Sequence, residues 1–200
     1  MGLIFFSHTL SGQKTIRKSY PATFGTLIQI DTDKSFEAEI LAYEGNSLIV
    51  DARLDGEYAE ALSVNITQEG STLWIGTEFD PSFKDPNDKL SAHKVVSVSL
   101  KIQIPSNLDV QVFGTSCNVT MSGEFSNVDV VLNDGNCTLN QVAHKVNVQT
   151  QSGNIRLNSL RGIIRAESRY GQIIQETIPE GNESYDLETV SGDITLLRTK

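Results

Sequence analysis

Few residues in this chain are of types that do chemistry, and most of them stand apart. Arg156, Arg161, Arg165 and Arg169 gather positive charge within a chain of net charge −9. A guanidinium presents a planar fork of donors that fits a carboxylate bidentately. Arg156, Arg165 and Arg169 are therefore the candidate ligand-facing residues, and an acidic glycan or an acidic protein is the ligand class they suit. Against this stands a plainer reading, in which outward charges simply keep a β surface soluble. His8, His93 and His144 have no Cys or His neighbour at metal-ligand spacing. Asp80, Asp85, Asn87, Asp88 and His93 share the stretch 80–93, which reads as a solvated acidic loop rather than a cation site. There is no nucleophile elbow, phosphate loop, zinc spacing or calcium-loop pattern. No catalytic residue, cofactor or metal ligand is assigned. Trp74 falls out of phase between Leu73 and Ile75, so it should face outward, where it packs or stacks on a sugar ring.

The elements that would position these groups come from a repeat. VQVFGTSCNVTM, VDVVLNDGNCTL, VNVQTQSGNIRL, IRAESRYGQIIQ and YDLETVSGDITL begin at Val110, Val128, Val146, Ile164 and Tyr185, in steps of 18, 18, 18 and 21 residues. Self-similarity at a fixed step is the signature of stacked coils. Within a coil, apolar and polar residues alternate with the period of a half-buried strand, as in Val146, Val148, then Ile155 and Leu157. Between the half-strands lie turns carrying Gly135, Gly153, Gly171 and Gly192, where a positive φ is expected. Cys117 takes that place in the first coil. Stacking in chain order would align Val110, Val128, Val146 and Ile164 in one inward column and Val119, Cys137, Ile155, Ile173 and Ile194 in another. Gln175 breaks the pattern in the fourth coil. Asn118, Asn136, Asn154, Gln172 and Asp193 form a polar column at the turns, read chiefly as turn chemistry and secondarily as an amide ladder.

Upstream, 26–30, 36–42, 48–52, 62–67 and 73–79 alternate as short strands without a fixed period, and Val96–Ile104 is the clearest strand before Pro105. The expected fold is all-β: a β-solenoid of about five 18-residue coils (105–200) preceded by irregular, partly antiparallel strands (24–104), in one continuous domain. Residues 1–13 read as a truncated signal peptide or an apolar tail. Cys117 and Cys137 are one strand and two residues apart in the coil alignment. That puts their Cα atoms about 8 Å from each other, beyond disulfide reach, so two free thiols are expected.

Three segments, Val98–Pro105, Val146–Leu157 and Leu187–Leu196, carry a family resemblance. A strongly alternating strand ending in Ile-Pro, followed by repeats of the form V-x-V-x-T-x-S-G-[ND]-I-x-L, resembles the bacterial putative-adhesin family of β-strand-repeat proteins, a domain-of-unknown-function group. The likeness spans residues 24 to 198 and implies a β-solenoid in the cell envelope with no catalytic residues.

The acidic balance argues against nucleic acid or an anionic membrane as partner, and no apolar stretch is long enough for a transmembrane helix. The expectation is an exported, monomeric, non-enzymatic envelope protein that binds an unknown surface protein or glycan. The alternatives are a carbohydrate-active lyase or hydrolase and a self-assembling envelope scaffold.

Overall fold

The computed structural model describes residues 13–56, 58–83 and 96–199. The proposed signal segment lies outside them except for its last residue, as does most of the 80–93 loop. The described chain is all-β, with one 3₁₀ turn at Ala59–Ala61. Its strands are β1 (Lys14–Pro21), β2 (Leu27–Asp31), β3 (Glu37–Tyr43), β4 (Ser47–Gly56), β5 (Leu62–Glu69), β6 (Thr72–Phe79), β7 (Val96–Pro105) and β8 (Asp109–Gly114). Then follow β9 (Asn118–Leu132), β10 (Cys137–Thr150), β11 (Ile155–Ser159), β12 (Ile163–Ser168), β13 (Ile173–Gln175), β14 (Ser184–Thr189) and β15 (Ile194–Arg198).

Hydrogen bonding joins all fifteen into one sheet folded over on itself in a solenoid-like way. Two rows of strands result. Row A runs β5, β6, β2, β8, the second half of β9, the second half of β10, β14, β12. Row B runs β1, β4, β7, β3, the first half of β9, the first half of β10, β11, β15, β13. Alternate residues of both rows are buried in one apolar core, from Ile28 and Ala38 through Val128 and Leu139 to Leu187 and Leu196. Each such aliphatic side chain contributes about 1.5–3 kcal/mol on burial.

Coils stack in parallel and in register where the 18-residue step predicts it. Val110 pairs with Val128 and Val128 with Val146; Val119 pairs with Cys137 and Cys137 with Ile155. Two further layers precede these. β2 and β3 lie parallel against β8 and β9, and β6 and β7 lie parallel against β2 and β3. The upstream strands are therefore mostly coils too, and among the described residues the antiparallel pairs are β1 with β4, β4 with β7 and β5 with β6.

The order of the last two coils differs from expectation. Val146 pairs with Tyr185, not Ile164, and Ile155 pairs with Ile194, not Ile173. Ile164 and Ile173 lie beyond them, at the edge. The inward residues explain the exchange. Coil five offers Tyr185, Leu187, Ile194 and Leu196, all of which are buried. Coil four offers Ala166 and the exposed polar Gln175, which an interior layer would leave underpacked or unsatisfied.

The turn glycines are needed for a different reason from the expected one. None of Gly135, Gly153, Gly171 and Gly192 has a positive φ. Instead a Cβ on each would strike the turn of the coil below: Gly135 against the carbonyl of Cys117, Gly153 against Gly135, Gly192 against Gly153, Gly171 against Gly192. The coils are too closely stacked there for a side chain, and the sequence of contacts repeats the exchanged order. Left-handed backbone occurs where the chain passes from row B to row A, at Asn107, Gly123, Gln141, His144 and Gly162.

Candidate functional site

Turn chemistry fixes how the strands are aimed. The Thr150 hydroxyl donates to the Gly153 carbonyl at 2.6 Å, while Gly192 N donates to Thr189 Oγ1 and Gly171 N to Ser168 Oγ. Above them the polar column is a hydrogen-bonded ladder. Asn136 Nδ2 donates to Asn118 Oδ1 at 2.8 Å; Asn154 N donates to Asn136 Oδ1, Asp193 N to Asn154 Oδ1, and Gln172 N to Asp193 Oδ1. Each side-chain oxygen is thus used by the next coil. The ladder holds turns together, which leaves Gln172 at its open end.

The three candidate arginines do not form one surface. Arg156 is exposed on β11 in row B, whereas Arg165 is on β12 in row A. Arg169 sits in the turn beyond β12, with its guanidinium 5.8 Å from the centre of the Tyr170 ring. Arg165 is ringed by carboxylates: Asp186 and Glu188 at 3.3 Å and Glu167 at 3.6 Å. Arg161 faces Glu183 at 3.5 Å. The spacing along the chain concealed this, because alternate halves of a coil belong to different rows.

Arg165 belongs instead to a column that crosses the outward face of row A. Strand by strand it reads Trp74, Gln29, Gln111, Asp129, Asn147, Asp186, Arg165. Gln29 Nε2 donates to Gln111 Oε1, Asn147 Nδ2 to Asp129 Oδ1 at 2.8 Å, and Arg165 to Asp186. The other oxygen of Asp186, Oδ1, is buried without a hydrogen-bond partner. Beside the column, Asn127 Nδ2 donates to Asp109 Oδ1 at 2.7 Å. A shallow cleft of about 400 Å³ lies between, lined by Asp109, Gln111, Asn127, Asp129, Lys145 and Asn147. Trp74 faces outward as expected and packs edge-on against Phe113 with centroids 6.2 Å apart, leaving it 37% exposed.

Apart from Trp74 and Arg165, this column was missed in the sequence. The available signal was the recurrence of Gln111, Asp129 and Asn147 at the same outward place in successive coils. The face offers planar donors and acceptors held in fixed order by the sheet, with an aromatic ring at one end. Such a surface matches a ligand rich in hydroxyls. Its carboxylates, Asp109, Asp129 and Asp186, outnumber Lys145 and Arg165, which disfavours an acidic ligand here.

Cys117 and Cys137 are free and buried. Burial pushes the Cys117 thiol up to about 11, and the Cys137 thiol up to about 12. These are core groups, not nucleophiles. Among the described residues, no three His, Cys, Asp or Glu side chains are placed to hold a metal ion. Asp80 accepts from both the backbone and the hydroxyl of Ser82, which holds its carboxyl below the ordinary value. The loop's other candidates, Asp85, Asn87, Asp88 and His93, lie outside the described residues.

The model of the Toastrack DUF4097 family matches residues 84–200. No curated protein matches the sequence. Among solved structures, a putative cell adhesion protein from Clostridium sporogenes superimposes with a TM-score of 0.67 at 14% identity, over 94% of this chain and 100% of that one. A putative adhesin from Parabacteroides distasonis gives 0.39 at 10% identity, over 91% and 97%. The first of these likenesses is one of fold.

Proposed function

The chain belongs to the Toastrack DUF4097 family, and from that premise we propose that it is an exported, non-enzymatic surface-binding module. It holds a neutral glycan along the outward face of row A. The observation that carries this reading is the unbroken column from Trp74 to Arg165, in which amides and carboxylates repeat at the strand spacing of about 4.8 Å. An extended polysaccharide presents hydroxyls on much the same scale, so successive sugars would meet successive side chains. Trp74 supplies the apolar face for one ring. The Clostridium protein of the same fold is described as a putative cell adhesion protein, which agrees with a role at the cell surface. Arg165 then acts within the column, and Arg156 and Arg169 take no part.

A neutral-polysaccharide array probed with wild type, Trp74→Ala, Asn147→Ala and Arg156→Ser tests this. Trp74→Ala and Asn147→Ala should each weaken retention about tenfold, and Arg156→Ser should leave it unchanged. The reading fails if wild type is retained by no glycan, or if Trp74→Ala and Asn147→Ala bind as wild type does.

A further inference from the structure

The two ends of the stack are built differently. At the β1/β5 end the rows are stitched together: Tyr20 OH donates to Gln68 Oε1 at 3.0 Å, and Lys14 Nζ donates to the carbonyls of Glu60 and Leu62, each at 3.0 Å. Lys14, Arg17, Lys18 and Pro21 lie along that edge strand, the residue types that block a further strand from adding.

At the other end, among the described residues, β12 pairs only with β14 and β13 only with β15, so both strands present an edge without a described partner. A cleft of about 580 Å³ opens between them, lined by Ile163, Ile164 and Ile173 on the strands and by the polar Gln175, Glu176 and Glu180. The edge coil also departs from its neighbours on the outside. At the outward place held by Asp109, Asn127, Lys145 and Ser184 it has Ile163. At the place held by Thr120, Thr138, Arg156 and Thr195 it has Ile174. Ile163 is 63% exposed, Ile174 56% and Ile173 41%. Exposed isoleucines on both faces of this edge coil, beside unpaired strands, mark a surface that another protein covers.

We infer that the occupant is a second copy of this chain, docked open end to open end about a two-fold axis. Charge supports the pairing. Arg169 follows β12 and lies over the Tyr170 ring, with no ion pair among the described residues. Glu180, which has no ion pair among the described residues, lies in the connection that returns to the start of β12, where Gly162 N donates to the Pro179 carbonyl. They are thus at opposite ends of the edge strand. A two-fold axis across β12 brings Arg169 against the partner's Glu180, and Glu180 against the partner's Arg169, the reciprocal pattern of an isologous interface. Head-to-tail stacking would instead set the apolar end against the blocked, basic edge of β1. The assembly closes at two, in place of the monomer expected from the sequence.

Sedimentation velocity of the full chain over a wide concentration range tests this inference, independently of any glycan. A monomer–dimer equilibrium that stops at the dimer is expected. Ile163→Glu and Ile174→Arg should each raise the dimer dissociation constant at least tenfold, because a two-fold interface feels every substitution twice. Both positions are exposed, so thermal unfolding should show the monomer intact. Arg169→Glu and Glu180→Arg should each weaken the dimer, and the two together should restore it. Three results would overturn the inference: a wild type that stays monomeric at every concentration, a dimer indifferent to these substitutions, or open-ended growth that Lys18→Glu alters.

Discussion

Val146 pairs with Tyr185, and Ile164 lies on the far side of it. The last segment of the chain is thereby an interior layer, and the segment before it is an edge. Protection against exchange should follow space and not sequence. At concentrations where the chain is monomeric, amides of β12 and β13 should exchange faster than those of β14 and β15. Hydrogen exchange with mass spectrometry decides it; equal or reversed protection would contradict the exchanged order.

Tyr185 also secures the corner. Its buried hydroxyl donates to the Val142 carbonyl at 2.6 Å and lies 3.1 Å from Ser159 Oγ. Tyr185→Phe removes that donor while filling nearly the same volume, and leaves the carbonyl beside the left-handed Gln141 without it. A loss of about 1–2 kcal/mol is expected from urea unfolding. An unchanged midpoint would mean that water replaces the phenol.

Close stacking at the turns makes Gly153 the most sensitive of the positions considered. Gly153→Ala forces a Cβ against the Gly135 carbonyl and should cost about 3 kcal/mol or more. Asn147→Val gives up one hydrogen bond to Asp129 but suits a strand, and should cost under about 1 kcal/mol. Denaturation midpoints of the two variants provide the comparison, and equal losses would refute the stacking argument.

The buried thiols predict an alkaline limit. Cys137 is raised by burial from an ordinary value of 9.0 to about 12, and Cys117, also by burial, to about 11. A group whose folded pKa is raised stabilises fully below its unfolded value and loses that contribution as pH rises towards the folded one. Stability should therefore fall between about pH 9 and 12. In Cys137→Val the fall should be shallower, as read by unfolding at stepped pH. Native protein at pH 8 should also resist a thiol reagent until denatured.

Much of this fold was legible in the alternation of Val146, Val148, Ile155 and Leu157, a local requirement of one strand, and in the recurrence of turn glycines, which every stacked turn needs whichever coil lies against it. Which coil lies beside which is a long-range choice, and any strand with a matching inward face can fill a place. Two signs pointed to the exchange: Gln175 on an inward position, and the longer step between Ile164 and Tyr185 that gives the chain room to cross. The ligand face was harder to read. Its column gathers side chains from β6, β2 and five later coils, and Gln29 and Trp74 belong to layers that do not show the repeat.

The exchanged coils also bear on how the chain can be made. A ribosome or a translocation channel delivers coils one after another, and a stack of repeats can ordinarily extend as each arrives. Here β12 and β13 emerge before the layer they rest on exists, since that layer is β14 and β15. They must wait, or dock transiently against β10 and β11 and then give way. Residues 184–198 thus hold the key to completion, and a chain truncated before Ser184 would lose two coils rather than one.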